Sequence, residues 1–270
     1  MASEQPSWVP HEVNVDMPSV ARMYDYYLGG MHNFAIDRQM ADAGAAVWPD
    51  LPLIMQANRA FLRRAVRHLV SAGIDQFLDI GSGIPTAGNV HEIAQAANPA
   101  ARVAYVDIDP VAVAHSRAIL GANPYTTVVQ ADLRDVDAIL AHPDITALLD
   151  FDRPVGVLTI AVLHFVPDSA DPAGTLARLR DAVISGSHIA VSHFSNEGPP
   201  EQVEQLLAMS RRTPTPLTLR SKADLARLLT GWEILDPGIV YLPQWRPDTP
   251  ADLDGNSERF NDFAAVARKP

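Results

Sequence analysis

The 270-residue sequence contains no cysteine. Disulfides and thiolate-bound metal clusters are thereby excluded, and the composition fits a reducing compartment, so a cytoplasmic protein is expected. Basic residues are also scarce: 21 Lys and Arg stand against 32 Asp and Glu, a net charge of −11. Phosphate backbones are held mainly by Lys and Arg, so nucleic acid is not an expected partner. The one basic run, the four arginines from Arg59 to Arg67, has the spacing of a solvated helix face. Long hydrophobic runs are missing too. The longest nearly apolar stretch, Val155 to Val166, carries a histidine and falls short of the ~20 residues that a bilayer-spanning helix needs. The N-terminus lacks the basic-then-apolar pattern of a signal peptide, and no membrane partner is expected. No P-loop string occurs and no serine sits in a nucleophile-elbow pattern. His11, His68, His91, His115 and His142 are scattered, so no metal is expected.

What is present is an apolar share of 47%, ample for a buried core. Residues 1 to about 17 are polar and Pro-containing without periodicity, and read as a loose arm. Helical patterns follow over residues 20–28, closed by Gly29 and Gly30, then over 35–47 and 53–69. From residue 76 the pattern changes. Short apolar runs at 76–80, 102–106, 126–130, 155–161 and 188–192 alternate with helical patterns at 89–97, 110–120 and 176–184. That alternation predicts parallel strands joined by right-handed crossovers. The tail departs from it: helical stretches at 199–211 and 221–229 precede two strand-like runs, 232–235 (extending toward Tyr241) and 260–268, with no helix between them. The expected fold is α/β: a Rossmann-like, seven-stranded, mostly parallel sheet with one antiparallel C-terminal strand. A helical N-terminal arm and cap is expected over 1–72, and the core over 73–270 with a helical insertion at about 195–230.

The first strand runs into Asp79-x-Gly81-x-Gly83. Glycines at 81 and 83 let the backbone turn sharply and approach a ligand where a Cβ would clash. A helix opening near Thr86 would present free backbone N–H groups to it. Asp107 closes the second strand beside that loop, where a carboxylate accepts both hydroxyls of a ribose. Asp109 precedes Pro110 and reads as a helix N-cap. After the third strand, Asp132 is placed to accept from an exocyclic adenine amine, with Ala131 and Leu133 offering apolar contact to the ring. Three acids thus end consecutive strands at one sheet edge, where open α/β sheets bind ligands. They also separate ligand classes. A dinucleotide seats a pyrophosphate at the helix N-terminus, usually with a third glycine where this chain has Thr86. A sulfonium ligand carries positive charge and no phosphate, so nearby carboxylates attract it.

These segments resemble the class I S-adenosylmethionine-dependent methyltransferases. Asp79-x-Gly81-x-Gly83 is similar to the first motif of that family, Asp107 to its ribose-binding acid, and Ala131-Asp132 to its adenine-binding acid. Ala161-Val-Leu-His-Phe-Val-Pro-Asp168 is similar to the fourth-strand segment of many small-molecule members. More closely, three segments are similar to the actinobacterial S-adenosyl methyltransferase family 19. They are Ala21-Arg-Met-Tyr-Asp-Tyr-Tyr-Leu-Gly-Gly30 with Asn33-Phe34, Gly83-Ile-Pro-Thr-Ala-Gly-Asn-Val-His-Glu92, and Trp245-Arg-Pro247. The resemblance covers nearly the whole chain. It implies the fold, S-adenosyl-L-methionine as cofactor and methyl transfer as activity, and it implies no particular acceptor. With the charge balance against nucleic acid, a small-molecule methyl acceptor is expected; no oligomeric state is implied. The residues expected at the cofactor are Tyr24, Asn33, Asp79, Gly81, Gly83, Asp107, Ile108, Asp132, Leu133 and Ala161.

Methyl transfer from a sulfonium is an in-line displacement, so positioning and exclusion of water carry most of the catalysis. A hydroxyl acceptor also needs a general base. His164 and His193, at the ends of the fourth and fifth strands, are the catalytic candidates, with His32 behind them; each reads equally well as a packed structural histidine. Asp168, after Pro167, reads as a cap for the next helix. Tyr24, Tyr26 and Tyr27 cannot share one helix face, and residues 18 to about 50 are expected to close over the cofactor as a lid. Two other readings stay open: a non-catalytic module that only binds the cofactor, and a nicotinamide-dependent oxidoreductase.

Overall fold

The structure, a computed structural model, describes residues 15–85, 88–250, 253 and 255–270. Most of the expected N-terminal arm and Thr86, where the crossover helix was expected to open, lie outside the described residues. Strands β1 (Gln76–Ile80), β2 (Arg102–Asp107), β3 (Thr126–Gln130), β4 (Gly156–Ile160) and β5 (His188–Phe194) run parallel in the order β3-β2-β1-β4-β5. All of β1 and β5 is buried, which is why these strands read as apolar runs rather than alternations: helices cover both faces. Neighbouring side chains still point opposite ways. Phe77 packs in the core on one face of the sheet, Leu78 in that on the other.

The last strand, β8 (Asp262–Arg268), lies antiparallel to β5, from His188↔Arg268 to Phe194↔Asp262. Its far edge carries two short strands, β6 (Glu233–Ile234) and β7 (Val240–Tyr241). The sheet therefore has eight strands, not the seven expected. The run expected to extend unbroken toward Tyr241 is interrupted by Pro237, which has no N–H to give a ladder, and by Gly238 at φ +88°.

The helices α1 (Val20–Tyr27), α2 (Ala35–Val47) and α3 (Leu51–Ser71) precede the sheet. The boundary expected at residue 72 runs through one hydrophobic cluster: Phe61, Ala65 and Leu69 of α3 pack in the same core as Phe77 and Val266. Helices α4 (Val90–Ala97), α5 (Pro110–Leu120) and α8 (Pro172–Ala182) are crossovers near their expected places. Two short helices between β3 and β4, α6 (Val136–Leu140) and α7 (Pro143–Leu148), were not foreseen; neither spans two turns, too little for a 3.6-residue period to register. Between β5 and β6 lie α9 (Pro200–Ser210) and α10 (Lys222–Leu228).

Two smaller expectations are corrected. Asp168 does not cap α8; Asp171 does, its carboxylate accepting from Gly174 N at 2.9 Å. The arginines of α3 are not one solvated face. Arg67 meets Asp248 at the surface, but Arg64 is buried, donating to the carbonyls of Trp245 and Leu242, each at 2.8 Å. Helical spacing carries the run around the helix, so only some of it meets water. Among the described residues no helix is long and apolar enough to cross a membrane.

Candidate cofactor and acceptor site

A cavity of about 750 Å³ opens at the carboxyl ends of β1 to β4, roofed by α1 and α2 and flanked by α9 and the segment 213–218. Its floor begins where β1 turns away. Gly81 has φ +74°, and a Cβ there would lie 2.4 Å from Val162 Cγ2, so both conformation and space demand glycine. The loop is held by Asp107, whose Oδ2 accepts from Gly83 N at 2.7 Å and whose Oδ1 accepts from Asp109 N at 2.8 Å. Each oxygen keeps a further lone pair, which is what two ribose hydroxyls need. Burial pushes the Asp107 carboxyl up to about 6, against the pull of those backbone N–H groups.

Asp79, Ile108, Asp132, Leu133 and Ala161 also line the cavity. Asp79 is 6% exposed. Burial pushes it up to about 7, with Arg59 acting against that rise and Asp107 with it. Ile108 is 51% exposed, a large apolar side chain next to Asp107. Asp132 is already gripped by Arg134, whose Nε lies 3.0 and 2.9 Å from its two oxygens. The pairing holds its carboxyl below the usual range and leaves only its remaining lone pairs for an adenine amine. Ala161 adopts φ +54°, costly for a residue with a Cβ. Ser192 Oγ holds it there, accepting from Ala161 N at 2.9 Å.

The cap reaches this floor through polar side chains. Ser192 Oγ donates to Asn58 Oδ1 at 2.6 Å, and Asn58 Nδ2 donates to the Tyr24 hydroxyl at 3.0 Å. Tyr24 lines the cavity, so α1 is tied through α3 to the end of β5. A second tie runs to the loop after β2. Asp109 caps α5, Oδ1 accepting from Val111 N at 2.8 Å, while its other oxygen accepts from the Ser19 hydroxyl. Arg22, buried beneath, donates to Asp37 Oδ2 at 2.7 Å. Asn33 is not brought to the cavity. Its amide donates to Asp25 Oδ2 and to the Gly30 carbonyl, both at 2.9 Å. Asp25 closes over Gly30, where a Cβ would lie 2.0 Å from its carboxylate. The string from Ala21 to Asn33 thus builds the turn between α1 and α2.

The two histidines separate. His164 lines the cavity but is buried, and its Nδ1 accepts from Phe194 N at 3.3 Å. Its proton therefore sits on Nε2, and no lone pair is free to take another. Burial, with His193 and Arg220 nearby, holds it well below the usual histidine range. His193 turns away from the cavity. Its Nδ1 donates to the Phe194 carbonyl at 2.7 Å, and its Nε2 accepts from Arg220 Nη1 at 2.9 Å. Arg220 also donates to Asp168 and to the carbonyls of Leu163 and Val166. Adjacent strand residues face opposite sides, so Ser192 bonds to Ala161 and Asn58, which line the cavity, and His193 does not. His32 packs edge-on against His115, ring centres 4.2 Å apart, outside the cavity lining. Among the described residues, then, His164 accepts at Nδ1 from Phe194 N and His193 has both ring nitrogens engaged away from the cavity lining.

Sequence reasoning missed Arg59, Asn58 and the far half of the cavity. That half is walled by Met40, Met55, Phe165, Leu206, Met209 and Leu217. These come from five separate segments, so no local spacing announces them; the one usable signal was that Asn58 and Arg59 share a helix face with Met55 and Leu62. A smaller cavity of about 490 Å³ lies at the opposite strand ends, between His68, His188, Arg246 and Arg268. None of the strand-closing acids reaches it.

The sequence matches the family described as S-adenosyl methyltransferase over residues 6–270. No curated protein matches it. A solved DUF574 family protein from Streptomyces avermitilis is similar at 41% identity, over 95% of this chain and 100% of that one, with a TM-score of 0.91. A candidate methyltransferase from Thermobifida fusca is similar at 37% identity, over 97% of this chain and 99% of that one, also with a TM-score of 0.91. The N-methyltransferase NodS from Bradyrhizobium japonicum shares the fold: TM-score 0.50 at 12% identity, over 82% of this chain and 99% of that one.

Proposed function

This chain belongs to the S-adenosyl methyltransferase family, and from that premise we propose that it transfers the methyl group to a small, largely apolar acceptor held between Phe165 and α9. The nicotinamide-dependent and purely cofactor-sensing readings find no support in that membership. The observation that carries the acceptor class is the Met, Phe and Leu wall of the cavity: the lining includes no lysine, and its four carboxylates, Asp79, Asp107, Asp109 and Asp132, all come from the ends of β1 to β3 and the loops after them. Such a wall desolvates an apolar body and repels a charged chain.

S-adenosylmethionine supplies a methyl group made electrophilic by its sulfonium. The chain's own residues position and protect. Asp107 has the lone pairs to accept from the ribose hydroxyls, and Asp79 offers a carboxylate to the ammonium. Ile108 and Leu133 offer apolar contact to the adenine. Tyr24 and α1 cover the cavity from above and exclude water, which strengthens every charge interaction inside. No residue on the acceptor side stands ready to take a proton. His164 has no free lone pair, and the Tyr24 hydroxyl, raised by burial, already donates to the Met55 carbonyl at 3.2 Å. The acceptor then presents an atom that is nucleophilic without losing a proton first, such as an uncharged amine nitrogen.

Incubation with methyl-labelled cofactor and a cell extract tests this. Label is expected in the organic-extractable small-molecule fraction. Label in protein or nucleic acid overturns the acceptor assignment.

A further inference from the structure

Helix α3 carries four arginines in its middle turns, and three have visible roles or open solvent. Arg64 is buried against two carbonyls, Arg67 pairs with Asp248, and Arg63 is exposed. Arg59 differs from all of them. It lines the cofactor cavity, and its guanidinium carbon lies 5.6 Å from the centre of the Tyr24 ring. Its buried Nε has no hydrogen-bond partner among the described residues. None of the ion pairs among the described residues uses it. A guanidinium is donor-only and permanently charged, so leaving part of it unanswered in a half-closed cavity is costly unless a ligand anion answers it.

Asp79 is its counterpart. It lines the same cavity, is 6% exposed, and its charge and that of Arg59 act on one another, though the two do not meet as an ion pair. The cavity lining therefore holds a cation with no carboxylate partner and an anion with no hydrogen bond among the described residues, near enough for each to feel the other's charge. The ligand chemistry that satisfies both is an α-amino acid zwitterion. We infer that Arg59 clamps the carboxylate of the cofactor's amino acid end while Asp79 takes its ammonium. The planar fork of arginine matches a carboxylate with two parallel N–H groups, and the Tyr24 face supports the fork from behind. Fixing both charges fixes the rotation of that end, and with it the direction in which the methyl group points. This inference rests on the cofactor reading above.

The test is calorimetric titration of the full chain and of Arg59→Ala with two compounds: S-adenosylmethionine and its decarboxylated analogue. The wild type binds the decarboxylated compound about 10- to 100-fold more weakly than the cofactor, the range for a lost charge-assisted pair. Arg59→Ala loses a similar factor for the cofactor and almost nothing for the analogue, so the two affinities converge. Arg59→Lys keeps the charge without the fork and falls between. The ligand-free melting temperature of Arg59→Ala changes little, because inside the protein only the Tyr24 contact and the influence on Asp79 are lost. An equal loss for both compounds, or a lowered melting temperature with no ligand discrimination, overturns the clamp in favour of a structural arginine. Undiminished cofactor binding by Arg59→Ala overturns the clamp alone. A wild type that binds neither compound overturns the cofactor reading and the clamp with it.

Discussion

At the ends of β1 and β2, Asp79 and Asp107 face a cavity with lone pairs to spare; at the end of β5, His193 faces the protein with both nitrogens engaged. Both halves of this edge place polar side chains where an α/β sheet binds ligands. One half leaves them unsatisfied and the other spends them on structure. The cost of burial shows which is which. Asp79 is pushed up to about 7 by burial that no internal hydrogen bond among the described residues relieves. His193, pushed down to about 4, sits neutral and satisfied between a carbonyl and Arg220. A strained or unsatisfied group in an otherwise well-paired interior marks function more reliably than a position at a strand end.

The largest effect expected from this contrast is on stability. Arg220 holds two carbonyls, Asp168 and His193 from a 4% exposed position. Arg220→Met should lower the unfolding free energy by about 3 kcal/mol, read by denaturant melting. His193→Gln should destabilise less and leave turnover of the folded fraction within a few-fold. A folded His193→Gln that loses turnover a hundredfold would break the comparison.

On the cavity side the effect should fall on binding instead. Asp107→Ala removes a charged acceptor of about 1.5–3 kcal/mol, a 10- to 100-fold weaker dissociation constant. Asp109→Ala removes the cap of α5 and the tie to Ser19, and should cost about 1 kcal/mol of stability with a smaller change in affinity. Calorimetry giving the reverse order would exchange the roles of the two acids.

The pH dependence sharpens the same point. Asp79 holds its proton more tightly in the folded protein than in the unfolded chain, so between about pH 4 and 7 the native state binds more protons. Its contribution to stability is full below the unfolded value and is lost as pH rises through about 7. Ligand-free Asp79→Asn should therefore be more stable than wild type at pH 8, by about 1–3 kcal/mol, and the gap should close toward pH 4. Cofactor affinity runs the other way: an ammonium partner needs the carboxylate ionised, so affinity should fall below about pH 7 in the wild type and much less in the variant.

The smallest expected effect concerns the cap. Residues 18 to about 50 should show slower hydrogen exchange on cofactor binding, by about tenfold, while the helices around the sheet change less. Exchange in this segment as slow as in β1 and β4, with no response to cofactor, would make it fixed packing rather than a lid.

Much of this was legible from spacing. β1, α2, α5 and β3 lie where residue pattern puts them, because apolar runs bounded by Gly, Pro and Asp leave few alternatives for a short segment. The acids at 79, 107 and 132 were legible for the same reason: each stands within two residues of a strand's end, and parallel strands of one sheet end together. The direction of a side chain was less legible. Ser192 and His193 are adjacent, and only the register of β5 against β4 and β8 decides which one bonds to the residues lining the cavity. Asp132 stands where expected, yet Arg134, two residues away, takes most of its lone pairs.

The sequence alone determined the fold class, the parallel strands with their crossovers and the positions of the acids near three strand ends, since these depend on local period and on a chirality that every right-handed crossover shares. The tertiary structure decided the rest. It split the tail strand at Pro237, buried Arg64 while leaving Arg59 unpaired on the same helix, and drew Met40, Phe165, Met209 and Leu217 from distant segments into one wall. Those outcomes depend on which surfaces meet across the fold, and spacing along the chain carries no record of a partner that lies a hundred residues away.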